Sequence, residues 1–418
     1  MFVHLSLTRW SRAIVMIVVC GYAVLVRAQT PPLTLEHAEQ LAIAGAPALA
    51  QSRYRIEAAT QRVVSDGQLP DPQLVVGAIN VPTDTYKLNQ EDMTMTMVGL
   101  RQAFPPGDTR TLRVRRAGYE LTREEARLEL ERRNLVRDVR RIWLELYYLD
   151  AALRQIDTLR PLLERQRQAA EGRYRAAQDT QQVVLQARQA LARLTVRQQE
   201  LRAQRRRSAA MLARWTGTDA DAPLPETLPS LPAMPERFEA EQHPDWLASR
   251  ADYETARTDS DIVRQERRPG VMLDLSYGFR RPMPNGTERP NMVTALVTVD
   301  LPVFRASRQD RRLAEKQAME NGARYQVEDK RRDLQAQYVG LLAEHESLME
   351  RVRLFSEQIV PNARREASVT VSGFASDQTM LREAHIKALD AELELARLRM
   401  ELARSQAELL YLTGEPQP

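Results

Sequence analysis

The chain has 418 residues, enough for one large domain or a few smaller ones, and it is 28% charged with 60 Lys and Arg against 56 Asp and Glu. Acidic and basic residues are interleaved along it, so the pI near 9.2 is no signature of nucleic-acid binding. Aromatics make up only 6% of the residues and there are 16 glycines, which suits long helices better than an all-sheet protein.

The first 28 residues read as a secretory signal peptide. Arg9 and Arg12 form a basic start, residues 13–25 are apolar but too short to span comfortably, and Val26-Arg27-Ala28 fits a cleavage site before Gln29. Cys20 is the only cysteine. It follows Val19 and lies inside the apolar run, which is a poor setting for lipid acylation. No other stretch reaches the ~18 apolar residues of a membrane helix. If the mature chain crosses a bilayer, it does so with strands.

After the signal, residues 33–45 form a short amphipathic helix with Leu35, Ala38, Leu41 and Ala42 on one side, and Pro47 opens a second helix to about residue 68. Residues 69–106 then change character. Prolines stand at both ends, and two short runs, 73–81 and 93–101, flank a polar loop. Met93, Met95 and Met97 alternate with Thr94, Thr96 and Val98, the period of a strand with one face in an apolar medium. A long helix follows over residues 109–177, with Leu121, Leu128, Leu135, Ile142, Leu149 and Ile156 seven apart, the spacing of coiled-coil packing. At 1.5 Å per residue this is a rod of roughly 100 Å. The chain turns near Gln178-Asp179-Thr180 and returns as a helix to Arg214, stopped by Trp215-Thr216-Gly217. Residues 218–235 are a proline-rich linker.

The pattern then repeats. Pro47 and Pro244, Pro72 and Pro269, Pro105 and Pro302, and Gly217 and Gly414 are all 197 residues apart. A second hairpin occupies residues 271–300. Val271, Leu273, Leu275, Tyr277 and Phe279 share one face against Met272, Asp274, Ser276 and Gly278, and Val293, Ala295, Val297 and Val299 oppose Thr294, Thr298 and Asp300. A second long helix runs over 307–371 and turns through residues 372–377. The expected organisation is a signal peptide (1–28), a first repeat (29–217), the linker (218–235), a second repeat (236–414) and a short tail (415–418). The expected fold class is mainly α with a small β part: long antiparallel coiled-coil helices plus two β-hairpins. Four strands cannot close a barrel, for which eight is about the minimum, and an open sheet leaves its edges unsatisfied in lipid. Three copies would supply twelve. The polar positions Thr94, Thr96, Asp274, Ser276, Thr298 and Asp300 would then line a wet lumen, with the Met93, Met95 and Met97 stripe against lipid.

No catalytic, phosphate-loop, dinucleotide or zinc spacing is present, so no enzyme, cofactor or metal site is expected. His37, His243, His345 and His385 are scattered on helices, with Glu344-His345-Glu346 read as a solvated face, and so is Arg205-Arg206-Arg207.

The duplication, the hairpins closed by Phe104-Pro105 and Leu301-Pro302, the helix ends Trp215-Thr216-Gly217 and Leu412-Thr413-Gly414, and the signal peptide together resemble the TolC family of outer-membrane factors over essentially the whole mature length. Leu69-Pro70-Asp71-Pro72-Gln73-Leu74, Asn80-Val81-Pro82 and Asp92-Met93-Thr94-Met95 are similar to its heavy-metal branch, the cobalt–zinc–cadmium or copper/silver efflux components. The resemblance implies a homotrimeric channel-tunnel in the outer membrane of a Gram-negative bacterium, its twelve strands in outer-membrane lipid and its helices continuing the barrel as an α-barrel in the periplasm. It would dock on a periplasmic adaptor (a membrane fusion protein) and an inner-membrane pump of the resistance-nodulation-division type. The two helical turns would form the periplasmic gate and meet the adaptor, which singles out Asp179, Thr180, Gly373, Phe374 and Asp377. Threefold symmetry would make rings of Asp179 and Asp377, a cation-favouring constriction; as the simpler role, either carboxylate can cap the helix that follows. The competing assignments are a duct for protein, peptide or drug export on the same architecture, and a periplasmic coiled-coil scaffold with no pore.

Overall fold

The computed structural model describes residues 32–217, 222–235, 237–373 and 378–414. The signal peptide with Ala28 and Gln29, the tail, and Phe374 and Asp377 of the second turn lie outside the described residues. In chain order the elements are α1 (Leu35–Gly45), α2 (Pro47–Ser65), β1 (Gln73–Ile79), β2 (Met95–Phe104), α3 (Thr109–Arg175), α4 (Gln181–Thr216), α5 (Pro244–Gln265), β3 (Val271–Phe279), β4 (Met292–Val299), α6 (Gln309–Leu354), α7 (Val360–Gly373) and α8 (Gln378–Thr413). The 197-residue offset recurs in the element boundaries. It carries Pro47 onto Pro244, the start of β2 onto the start of β4, and all of α4 onto α8, both of 36 residues. Among the described residues no helix is long and apolar enough to cross a membrane.

The described chain forms two compact units, and they cut across the repeats. One takes the N-terminal residues through Ala42 together with Ile142–Ser230; the other takes Ile43–Arg141 with Leu231–Pro418.

The first unit is held by the spine of α3. Ile142, Leu149 and Ile156 of the heptad row are buried, with Trp143 and Leu144 fully so. Towards the end of α3, Ala170 packs with Val184 and Ala187 of α4. Thr34 opens α1 by accepting the His37 N–H. Leu33, just before it, accepts the indole N–H of Trp143 at 2.9 Å. The Leu33 N–H bonds the Pro223 carbonyl at 2.8 Å, and the Tyr147 hydroxyl bonds the Glu226 carbonyl at 2.9 Å. The proline-rich segment is therefore strapped to α1 and α3 through its backbone.

In the second unit α7 and α8 meet through small residues, Ala363, Ala367, Ala384, Ala388 and Ala391, with Val360 and Leu395. Small side chains let two helices approach closely. Between α6 and α7 lies one wide turn, Phe355–Ile359, in which the Val360 N–H reaches back to the Phe355 carbonyl. Pro361 follows directly, and the widened turn relieves the clash its ring would make with the carbonyl four residues earlier. Pro161 in α3 stands 200 residues before Pro361, three more than the general offset, so the wide turn falls where the repeats lose register. His345 departs from its expected solvated setting. It is buried, with Nδ1 2.8 Å from Ser405 Oγ of α8, while Glu344 and Glu346 on either side are exposed.

His243 caps α5: its Nδ1 accepts the Asp245 N–H at 3.2 Å. The ring is buried against Tyr411 at 5.5 Å. Burial first, and then the Arg133 charge, hold its pKa down at about 4. A neutral imidazole is required, because protonating Nδ1 removes the cap acceptor. The folded value lies below the unfolded one, so this contribution is complete above pH 6.5 and is lost as the pH falls towards 4, by up to about 3 kcal/mol. A His243→Asn variant keeps a capping acceptor and has no such titration. Its melting temperature is expected to fall less than the parent's between pH 6.5 and 4.5; equal slopes would remove His243 as the cause.

Candidate functional site

The two hairpins make one antiparallel sheet in the order β1-β2-β3-β4. The ladder between β2 and β3, running from Thr96 opposite Phe279 to Phe104 opposite Val271, joins the two repeats. β1 and β4 are left as edges.

Cross-strand partners share a face, so the register sorts every side chain. One face carries the rows Leu74, Leu100, Leu275 and Ala295; Val76, Val98, Tyr277 and Val293; Gln102, Leu273 and Val297; and Phe104, Val271 and Val299. Its side chains are exposed, with Val76 at 72% and Leu74 at 68%. An apolar sheet face this open marks a surface that meets a membrane or another protein.

The other face is mixed. Across its middle Arg101 donates from Nε and Nη2 to Asp274 Oδ2 at 3.0 and 2.8 Å. Asp274 is buried at 9% exposure, and the pair neutralises a carboxylate expected to line a wet lumen. Gly99 lies opposite Ser276, where a Cβ would come 2.6 Å from the Ser276 Cβ and 2.8 Å from the Leu275 carbonyl oxygen. Met97 and Met292 flank Gly278, whose missing side chain makes room for Met95.

The expected polar set therefore divides. Asp274, Ser276 and Thr298 share the mixed face. Asp300 is exposed just past β4, its N–H bonded to the Gly270 carbonyl at 2.9 Å. Thr96 does not join them. It pairs with Phe279 and falls on the apolar face, because β2 runs in the opposite phase from that expected. Thr94 does not join them either: it is fully buried ahead of β2, its hydroxyl bonding the Asn80 carbonyl at 2.6 Å. By the same phase Met95 and Met97 stand on the mixed face, which corrects the lipid-facing stripe, and Met93 lies outside the strand.

Sequence patterning missed the residues that close the far end of the sheet. Arg289, 9% exposed, donates Nε–H to the Arg281 carbonyl at 2.7 Å, and its Nη1 and Nη2 reach the carbonyls of Glu91, Asp92 and Leu88. Arg280 bonds the Asp92 carbonyl and its carboxylate. The β3–β4 loop thus clamps the β1–β2 loop through backbone acceptors, which no side-chain motif announces. Arg101 had a signal, being the one charge in β2.

In the first unit the α3–α4 turn is tight. Ala177 takes φ +55°, and the Gln178 N–H returns to the Arg173 carbonyl at 2.9 Å. Thr180, not Asp179, occupies the cap position of α4. Asp179 Oδ1 accepts the Thr180 N–H at 2.9 Å, and Oδ2 lies 3.7 Å from Arg173 Nε. Gly373 ends α7. Arg205 is ion-paired with Asp150 at 2.6 Å, while Arg206 and Arg207 are exposed. Among the described residues no three His, Cys, Asp or Glu side chains are placed to hold a metal ion.

Residues 239–415 match the model of the outer membrane efflux protein family. No curated sequence matches the chain. Among solved structures it is similar to the outer membrane protein VceC of Vibrio cholerae, with 17% identity, a TM-score of 0.77, and 91% of this chain and 96% of that one covered. CusC superposes with a TM-score of 0.78 at 13% identity over 93% and 94% of the two chains. The open-state MtrE outer membrane channel of Neisseria gonorrhoeae gives 0.70 at 15% identity over 91% and 89%. At these identities the likeness is one of fold, extending through both repeats, while the family pattern lies in the second. With a sheet that exposes one apolar face, the described chain has the fold of these solved outer-membrane channels, and its second repeat carries the pattern of the outer membrane efflux protein family.

Proposed function

We propose that three copies of this chain close a twelve-stranded barrel and serve as the passive exit duct of a tripartite efflux system for heavy-metal cations. The observation that carries the reading is the sheet itself. It has an exposed apolar face, a mixed face, and two free edges, β1 and β4. Unpaired strand edges are not tolerated in hydrocarbon, so pairing β4 of one copy with β1 of the next is the economical way to satisfy them. The mixed face then becomes the lumen, with Ser276, Thr298 and Asp300 towards water and Arg101 and Asp274 mutually neutralised.

The resemblance of residues 69–95 to the metal branch supports a cationic cargo. So does the lumen chemistry, with Met97 and Met292 offering soft thioethers and Asp300 an exposed carboxylate. In this reading the turns bearing Asp179 and Thr180, and Gly373, Phe374 and Asp377, form the periplasmic gate and the contact with a membrane fusion protein. A resistance-nodulation-division pump supplies the energy. Asp179 reaches the gate partly screened by Arg173.

The test is native mass in mild detergent after membrane fractionation, followed by metal tolerance of a deletion strain. A trimer in the outer-membrane fraction and a fall in tolerance to copper, silver, cobalt, zinc or cadmium are expected. A soluble monomer would overturn the barrel; a trimer with unchanged tolerance to all five metals would overturn the cargo.

A further inference from the structure

The duplication provides an internal control for the place where the sheet meets the helices. In the first repeat β2 leaves through Phe104-Pro105-Pro106-Gly107-Asp108, a turn sequence ending in a carboxylate. The residues 197 further on are Leu301-Pro302-Val303-Phe304-Arg305. Two apolar side chains and an arginine replace a proline, a glycine and an aspartate. None of the three apolar residues is covered: Leu301, Val303 and Phe304 are 71, 72 and 74% exposed.

The segment is ordered by its own backbone and by two side chains: Arg305 Nη2 donates to the Arg267 carbonyl at 3.2 Å and the Ser307 hydroxyl to the Phe304 carbonyl at 3.3 Å. The Val303 N–H bonds the Leu301 carbonyl at 2.9 Å and the Arg308 N–H bonds the Phe304 carbonyl at 3.1 Å, which leads into α6. Arg305, Arg308 and Arg311 then recur every three residues and are exposed. Their first-repeat counterparts are Asp108, Thr111 and Val114. Neighbouring basic residues have carboxylates of their own: Arg267 holds Asp310 at 2.8 Å, Arg312 holds Glu266 at 3.0 Å, and Arg268 stands 3.7 Å from Asp108. Among the described residues no carboxylate lies within ion-pair distance of Arg305, Arg308 or Arg311.

We propose that Val303 and Phe304 insert into the periplasmic leaflet of the outer membrane and that Arg305, Arg308 and Arg311 bind the phosphate of an anionic phospholipid headgroup there. The apolar part continues an established surface. Val299 follows Val293, Ala295 and Val297 on the sheet's open apolar face, and Leu301, just past the strand, keeps the same alternation in sequence. The basic part begins where the hydrocarbon must end, at the junction with helices that lie in the periplasm. Guanidinium groups suit phosphate oxygens geometrically, and their stems pack along the interface. The second repeat thus carries a lipid contact that the first lacks. This assignment rests on the sheet's apolar face meeting lipid.

The full-length protein, extracted in mild detergent, is titrated with phosphatidylglycerol and separately with phosphatidylcholine, and bound lipid is counted by native mass spectrometry. The parent is expected to prefer phosphatidylglycerol by roughly tenfold. Arg305→Gln/Arg308→Gln/Arg311→Gln is expected to abolish that preference with unchanged oligomer mass. Arg202→Gln/Arg206→Gln/Arg207→Gln, with the same loss of charge in α4, is expected to keep it. Val303→Ser/Phe304→Ser is expected to weaken binding of both lipids. Equal effects of the two arginine triples would overturn the site as unspecific charge. A drop in oligomer mass for Val303→Ser/Phe304→Ser, with the lipid preference intact, would assign the segment to a neighbouring copy and overturn it too. An outer-membrane protein without lipid preference fails this proposal alone; a protein absent from the membrane fraction fails the channel reading beneath it.

Discussion

A Leu275→Arg variant will reach the outer membrane in much smaller amount than the parent, whereas Thr294→Arg will assemble nearly normally. Leu275 sits in the row Leu74, Leu100, Leu275 and Ala295, midway along the apolar face, and is 54% exposed in the protomer. An arginine there must leave water for hydrocarbon, which costs about 2–4 kcal/mol at the midplane of a strand barrel. Thr294 pairs with Ser276 on the mixed face, where an added charge stays hydrated. Separating folded trimer from unfolded monomer in outer-membrane extracts reads the difference directly. The reverse outcome, with Thr294→Arg lost and Leu275→Arg assembled, would mean that the two faces are exchanged.

The second large effect belongs to Trp143. Its ring is fully buried, stacks on Tyr147 at 5.8 Å with an 11° interplanar angle, and donates to the Leu33 carbonyl. Trp143→Ala removes that volume and the side-chain bond that ties Leu33, before α1, to α3. Buried Trp→Ala substitutions cost about 3–5 kcal/mol. Because the Leu33 N–H is itself bonded to the Pro223 carbonyl, the loss is expected to spread to the proline-rich strap. Trp143→Phe keeps most of the apolar contact and gives up the bond, at about 1 kcal/mol. The checks are the melting temperature and the rate of proteolytic cleavage within residues 222–230. Cleavage in Trp143→Ala no faster than in the parent would show that the strap is held independently of Trp143.

Much of this architecture was legible before any coordinates, and the reason is punctuation. Prolines and glycines recurring at one offset marked the duplication, and Pro47, Pro244, Gly217 and Gly414 sit at helix ends, where such residues are best tolerated. The faces of β3 and β4 were equally legible, since one face of each is apolar throughout while Asp274, Ser276, Thr294 and Thr298 mark the other, despite Met272, Met292 and Leu296 there. β2 misled because its first residues alternate methionine with threonine, and thioethers look more apolar than hydroxyls. Its later residues reverse that choice: Val98, Leu100 and Phe104 lie in phase with Thr96, while Arg101 lies in phase with Met95. A strand must be phased over its full length, with the charge weighted most. The Arg289 clamp and the Arg101–Asp274 pair were invisible because each depends on a partner far away in the chain. Sequence periodicity reports only local neighbours.

The ladder between β2 and β3 also sets the order in which this molecule can be built. Thr96 and Phe279, bonded across it, are 183 residues apart. In a chain delivered from its N-terminus, β1 and β2 arrive long before their partners and wait with both edges open and an apolar face uncovered. Pairings of such high sequence separation are slow, and a lone hairpin has little stability in water. The interval between the two hairpins is therefore the period in which this protein is most exposed to aggregation and cleavage. A strain short of periplasmic holding chaperones would lose it at that stage of biogenesis, however stable the finished channel.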